Sequence, residues 1–192
     1  MSLAAYSPAG EDQLRTDCYR VLARLFAAPP DLSLLQHLRQ SATGADDELG
    51  RQWNALCAAS VEEPARLADE YGDLFLAVGA AKVFPYGSWY LDGSLMGRSL
   101  VRLRSDLARL GLARKGEVKE PEDHMAAVLE VMGLLVEGGS GAQAEFFDRH
   151  LAPWYEAFCD AVEAQAEGTF YRAAAGFARR FLAVEAEMLK QW

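Results

Sequence analysis

An aspartate and a histidine stand side by side at positions 123 and 124, within "KEPEDHMAAVLEVMGLLVEGG" (residues 119–139). The chain has three histidines and three cysteines, so imidazole and thiolate chemistry have few places to sit. Such a pair can be an acid/base couple, part of a metal-ligand set, a helix cap, or the polar edge of a binding surface. A carboxylate-bridged metal bundle needs two ExxH units on facing helices. Glu120, Asp123 and His124 do not supply two, and His37 and His150 are the remaining imidazoles. No metal site is expected. Cys18, Cys57 and Cys159 are far apart, with no CxxC or zinc spacing, and read as buried thiols in a reducing compartment. No GxxxxGK[ST] loop, strand-linked GxGxxG, HExxH, EF-hand loop or GxSxG elbow occurs. A small helical enzyme using Asp123 and His124 as acid and base stays open, although nothing names its nucleophile. On a helix, adjacent side chains point about 100° apart. The pair is better placed to line two edges of one surface than to bond each other.

The elements that would hold this pair are helical. Leu14, Cys18, Val21, Leu22, Leu25 and Phe26 recur at three- and four-residue spacing, and Pro29-Pro30 stops that helix. Asp31 is placed to cap a second helix carrying Leu34, Leu35 and Leu38. A third, near residues 46–58, would bury Leu49, Trp53, Leu56 and Cys57. Pro64 suits the first turn of a fourth, which shows Leu67, Tyr71, Leu74 and Phe75 on one side. Then "VGAAKVFPYGSWYLDGS" (residues 78–94) breaks the pattern, with three glycines, a proline and four aromatics in 17 residues. It reads as a packed or ligand-binding loop.

Helices follow over residues 94–110, ended by Gly111, and over the opening segment, with Pro121 near its first turn and Gly138-Gly139 at its end. Three more run over residues 142–150, from Trp154 through Val162, and from Thr169 to the end. Arg179-Arg180 reads as solvated charge on the last of these. No β alternation or repeat is found. The predicted class is all-α, a single-domain helical bundle of about eight or nine helices over residues 1–192. The polar connection at residues 113–120 is a candidate hinge for domain exchange.

The composition is 51% hydrophobic and 24% charged, with a net charge of −9 from 28 acidic and 19 basic residues. This suits a packed core. It disfavours nucleic acid and anionic membranes as partners and favours a basic one, such as an arginine-bearing peptide. No basic n-region precedes an apolar run at the N-terminus, and no uncharged apolar stretch reaches about 18 residues. A soluble cytoplasmic protein with no stable membrane insertion is expected.

"YGDLF" (71–75), "PYGSWYLDG" (85–93) and "EPEDHMAAVLEVM" (120–132) form an ordered triplet. It resembles the TorD/DmsD/NarJ-type family of cytoplasmic molybdoenzyme chaperones. "FFDRHLAPWYEAF" (146–158) and "FYRAAAGFARRFL" (170–182) look like that family's C-terminal helices. The resemblance implies a helical, non-enzymatic maturation chaperone. Its partner would be the apo form of a molybdopterin-containing oxidoreductase subunit, its twin-arginine leader, or both. The chaperone would assist cofactor insertion and delay export. The resemblance also implies a monomer or a domain-exchanged homodimer. Weak guanine-nucleotide binding is linked to some members, but no phosphate loop here supports it and no cofactor is expected. Carried over residue by residue, the client-binding positions are Tyr71, Leu74, Phe75, Pro85, Tyr86, Ser88, Asp123 and His124. Tyr90, Leu91, Asp92 and Gly93 match the loop motif, with Asp92 as a cap or an arginine ligand. Glu122, Asp123 and Asp92 are candidate guanidinium acceptors. Tyr71, Leu74, Phe75, Tyr86 and Trp89 are candidate apolar contacts. A generic helical interaction module is the remaining alternative.

Overall fold

The computed structural model describes residues 8–76, 81–113, 116 and 119–191. Residues 77–80 of the predicted loop and 114, 115, 117 and 118 of the candidate hinge lie outside the described residues. Ten α-helices and one π-helical turn are found among those described. They are α1 (Pro8–Ala27), α2 (Leu32–Gln40), α3 (Glu48–Ala59), α4 (Pro64–Tyr71), the π-turn (Gly72–Leu76), α5 (Gly87–Asp92), α6 (Arg98–Arg109), α7 (Met125–Glu137), α8 (Gln143–His150), α9 (Tyr155–Gln165) and α10 (Phe170–Leu189).

Local chemistry sets most boundaries. Asp31 caps α2 through a 2.7 Å bond from Leu34 N–H. Asp47 caps α3 in the same way through Gly50 N–H at 2.8 Å, so α3 begins two residues later than the apolar spacing alone suggests. Gly111, at φ +72°, ends α6. There Leu112 N–H reaches Leu107 O at 2.9 Å and Gly111 N–H reaches Ala108 O at 3.1 Å, the paired bonds of a left-handed helix stop. Gly139 ends α7 likewise, with Ser140 N–H on Leu135 O at 2.9 Å.

The bundle packs α1 along α7, while α10 lies against α3 and α9. One contiguous apolar cluster draws buried residues from nine of the ten helices and the π-turn, and Tyr90 of α5 packs against it. Phe26 sits near its centre, its ring edge-on to Phe158 at 5.0 Å and to Phe75 at 6.3 Å. Among the described residues no helix is long and apolar enough to cross a membrane.

Three expectations change at the middle of the chain. The residue 78–94 segment contains a helix, α5, which accounts for a tenth element. The next helix starts at Arg98 rather than Ser94, after a turn in which Met96 has φ 59°. Finally, α7 starts at Met125. Pro121 to Asp123 form a turn ahead of it, so Glu122, Asp123 and His124 do not occupy a first helical turn, and the helical 100° argument does not apply to them.

Candidate functional site

The turn before α7 is bolted to the start of α5. Gly87 N–H donates to Asp123 O at 2.8 Å and Met125 N–H donates to Pro85 O at 2.7 Å. Tyr86 and His124 thereby form an isolated antiparallel bridge. Tyr86, the residue before α5, offers no side-chain cap. Asp123 does so from 35 residues away, its Oδ2 accepting Ser88 N–H at 2.8 Å. A negative carboxylate at the positive end of α5 is favourable. Asp123 and Ser88 are both buried, and Asp123 Oδ1 has no hydrogen-bond partner. Gly87 lets this packing occur. A Cβ there would lie 3.2 Å from the Trp154 ring, on which Tyr90 also stacks at 5.6 Å.

His124 is the N-cap of α7. Its Nδ1 accepts Ala126 N–H at 3.1 Å, which places the proton of the neutral ring on Nε2. Burial pushes its pKa below the usual histidine value, against the opposing fields of Glu120 and Asp123. The Tyr86 ring meets the imidazole edge-on at 5.2 Å, and the Tyr86 hydroxyl donates to Glu120. Burial, then that bond, raises the Tyr86 pKa. The Arg104 guanidinium holds Glu122 at 2.8 Å. Asp123 and His124 are thus committed to different helices, one bonding Ser88 and the other Ala126.

Of the other predicted contacts, Tyr71, Leu74 and Phe75 are core residues rather than surface ones. Tyr71 donates to Phe26 O at 3.1 Å, and burial lifts its pKa to about 12. The π-turn widens the chain after Tyr71, and Leu74 and Phe75 both face inward. Pro85 is buried. Asp92 is a cap: its carboxylate accepts Ser99 N–H at 2.9 Å at the start of α6, and Ser99's hydroxyl and N–H hold its pKa low. A Cβ on Gly97 would collide with that carboxyl, so glycine is required there. Ser88 Oγ accepts Met96 N–H at 3.1 Å. Together these bonds fold residues 87–99 into an elbow. On its outside Trp89 is 40%, Leu91 37%, Leu95 45% and Met96 73% exposed. Phe84 meets Trp89 with the rings tilted by 33° and their centroids 4.4 Å apart. Composition marked this stretch as unusual, but which side chains face solvent became visible only in the fold.

A bonded aspartate–histidine couple does exist, elsewhere. His150 Nε2 and Asp106 Oδ2 are 2.7 Å apart, linking α8 to α6 with both residues buried. Sequence reading treated His150 as an ordinary helical residue, and 44 positions of separation give no local signal. Burial pulls the Asp106 pKa up, but the His150 bond and the fields of Arg149 and Arg109 outweigh it and keep the carboxyl below its usual range. The couple belongs to a network with Arg109, Arg149 and Glu145. An apolar trough of about 390 Å³ lies between α1, α2 and α3, where Asp17 and Asp47 join Leu14, Val21 and Trp53, and not at the three motifs. The thiols of Cys18, Cys57 and Cys159 are free, with pKa values raised by burial to about 12, 11 and 12. Among the described residues, no group of three or more histidine, cysteine, aspartate or glutamate side chains is arranged to hold a metal ion.

Residues 42–160 match a family model described as nitrate reductase delta subunit. The chain is similar to the chaperone protein TorD of Actinobacillus succinogenes, at 32% identity over 50% of this chain and 51% of the relative. That match spans about half the relative's length. The TorD chaperone of Shewanella pealeana is 27% identical over 93% of this chain and 91% of its own. The Tat proofreading chaperone DmsD of Salmonella paratyphi A is 30% identical over 85% of each. In fold, the chain is similar to a solved protein of Archaeoglobus fulgidus described as a redox enzyme maturation protein. The TM-score is 0.59 at 23% identity, covering 90% of this chain and 93% of that one.

Proposed function

The chain belongs to the TorD/DmsD/NarJ-type family of maturation chaperones, matched as nitrate reductase delta subunit, and from that premise we propose that it binds the apo catalytic subunit of a molybdopterin oxidoreductase in the cytoplasm and holds its twin-arginine leader. As a member of a chaperone family it acts by binding, without turnover. The observation that supports the leader site is the junction of α5 with the turn before α7. There "PYGSWYLDG" and "EPEDHM" are joined by four hydrogen bonds, donated by Tyr86, Gly87, Ser88 and Met125. Tyr86, Ser88, Glu122, Asp123 and His124 surround that junction, and Asp92 lies at the far end of α5, where it caps α6. Tyr71, Leu74, Phe75 and Pro85 back it from the core.

The acid/base alternative loses its support at the same place. His124 Nδ1 is occupied by Ala126 N–H, and the Asp123 oxygen that is bonded is bonded to Ser88. Asp123 Oδ1 is buried without a hydrogen-bond partner, which marks this carboxylate as more than a helix cap and supports a polar role at the junction. The test is to use the full chain as bait in its own host and identify bound proteins by mass spectrometry. A molybdopterin oxidoreductase subunit, in its apo form and with its leader intact, is expected. Recovery of that subunit at equal yield after its leader is deleted would remove the leader from the proposal. Its absence from the bound proteins would remove the client class.

A further inference from the structure

We infer that the apolar trough between α1, α2 and α3 is a second binding site, separate from the junction, and that it takes a small organic cation with an apolar body and an ammonium group. The inference does not rest on the leader-binding reading. No residue of "YGDLF", "PYGSWYLDG" or "EPEDHM" lines this trough.

The trough is built by specific contacts. Leu14, Cys18, Val21, Leu49, Trp53 and Phe177 give it an apolar surface, with Leu14 63% exposed to solvent. Trp53 and Phe177 meet edge-on at 5.0 Å. The connection from α2 to α3 forms the outer wall and is tied down at two points. Trp53 Nε1–H donates to Ser41 O at 2.7 Å. Thr43 N–H donates to Asn54 Oδ1 at 2.8 Å, and Asn54 Nδ2 donates back to Thr43 O at 2.9 Å. Gly50 lets the wall close on α3, since a Cβ there would lie 2.5 Å from that of Ala45. The result is a concavity of about 390 Å³, within the range of small-molecule sites. From Leu14 to Val21 it follows α1 for about 10 Å. A site already in shape binds with a smaller ordering cost.

Charge selects the ligand. Asp17 and Asp47 stand exposed at the rim, and no lysine or arginine lines the trough among the described residues. Each carboxylate is met by a neutral donor. Asp17 accepts from Gln13 at 2.9 Å, and Asp47 accepts from Gly50 N–H at 2.8 Å. Their negative charge is therefore available to a ligand, in a chain whose net charge is −9. An ammonium gains from this field and a carboxylate loses. Because both acids are exposed, charge sets the ranking of ligands by modest factors, while burial of the apolar body supplies most of the affinity. The same net charge disfavours a second copy of the chain as the occupant.

The experiment titrates the ¹⁵N-labelled full chain with 4-phenylbutylamine, and with 4-phenylbutanol and 4-phenylbutyrate as its neutral and anionic counterparts. The Trp53 indole N–H signal reports on the trough. The amine should shift that signal with a dissociation constant of about 1 mM or lower. It should bind about threefold tighter than the alcohol and about tenfold tighter than the carboxylate, with both ratios shrinking as salt is added. Asp17→Asn/Asp47→Asn keeps a capping oxygen for Gly50 N–H and should bring the amine to within about twofold of the alcohol. Leu14→Lys, at an exposed position, should weaken the amine by about fivefold or more with an unchanged unfolding midpoint. No shift of the Trp53 signal by the amine, equal binding of all three ligands, or variants that bind the amine as the native chain does would overturn the inference. A native dimer that Leu14→Lys converts to a monomer would assign the trough to a second copy and overturn it too. No leader peptide is used, so each of these results leaves the leader proposal where it stands.

Discussion

Replacing Asp123 by alanine takes away the carboxylate that meets Ser88 N–H at the head of α5. It leaves a buried N–H without an acceptor, in a place water does not reach, since Ser88 is fully buried. Loss of a charge-assisted hydrogen bond and of a helix cap costs about 1–3 kcal/mol. Asp123→Asn keeps a carbonyl oxygen for the same N–H and should cost clearly less. Urea unfolding of both variants checks this. A midpoint for Asp123→Ala equal to that of the native chain would show that the cap is energetically idle. The same residue explains why composition and spacing misled: seen alone, an acid before a helical run reads as that run's own first-turn charge. Its partner is Ser88, and no local pattern connects positions 35 apart.

At the scale of elements, the helices that carry their own signals were legible. α1 and α10 follow from three- and four-residue apolar spacing, α2 from Asp31, and the ends of α6 and α7 from Gly111 and Gly138-Gly139. α5 was not, because its cap comes from another segment and its six residues are too few for a periodic signal. The start of α7 was misplaced because histidine is an uncommon N-cap. That cap makes a pH-dependent element. The folded pKa of His124 is lowered, chiefly by burial. As pH falls through about 6.5, the unfolded chain takes up a proton that the folded chain refuses. Stability is complete above that pH and is lost from there down to the depressed folded value. The loss proceeds at up to about 1.4 kcal/mol per pH unit. Protonating Nδ1 would also remove the acceptor for Ala126 N–H. His124→Asn keeps a capping oxygen and does not titrate. The two proteins should unfold alike at pH 7.5, with the variant holding its stability better at pH 5.5, shown by urea midpoints at the two values. Parallel pH slopes for the two would remove His124 as the cause.

Across the whole molecule, the first and last helices are joined in the core. The buried Arg15 guanidinium takes both oxygens of Glu185, at 2.8 and 2.9 Å, and also donates to Gln143 at 2.9 Å and to Asp12 at 2.8 Å. Tyr19 adds its hydroxyl to Glu185 at 2.9 Å. α1, α8 and α10 therefore share one polar knot inside an apolar bundle, and we propose that the chain folds as one cooperative unit for this reason. Arg15 and Glu185 are 170 positions apart in the sequence, and only packing reveals that they meet. Desolvating two ions is costly, so the pair's net contribution is small even though losing one member is severe. Arg15→Ala leaves Glu185 buried and uncompensated and should cost about 3–5 kcal/mol. Arg15→Met/Glu185→Met removes both charges, keeps the volume filled, and should recover most of that loss. Helix content and tryptophan fluorescence should report a single coincident transition in every variant. A double variant as unstable as Arg15→Ala would mean that the knot is favourable in itself, through the Tyr19 and Gln143 bonds. The two ends of the chain would then be held together by polar geometry rather than by the apolar packing around it.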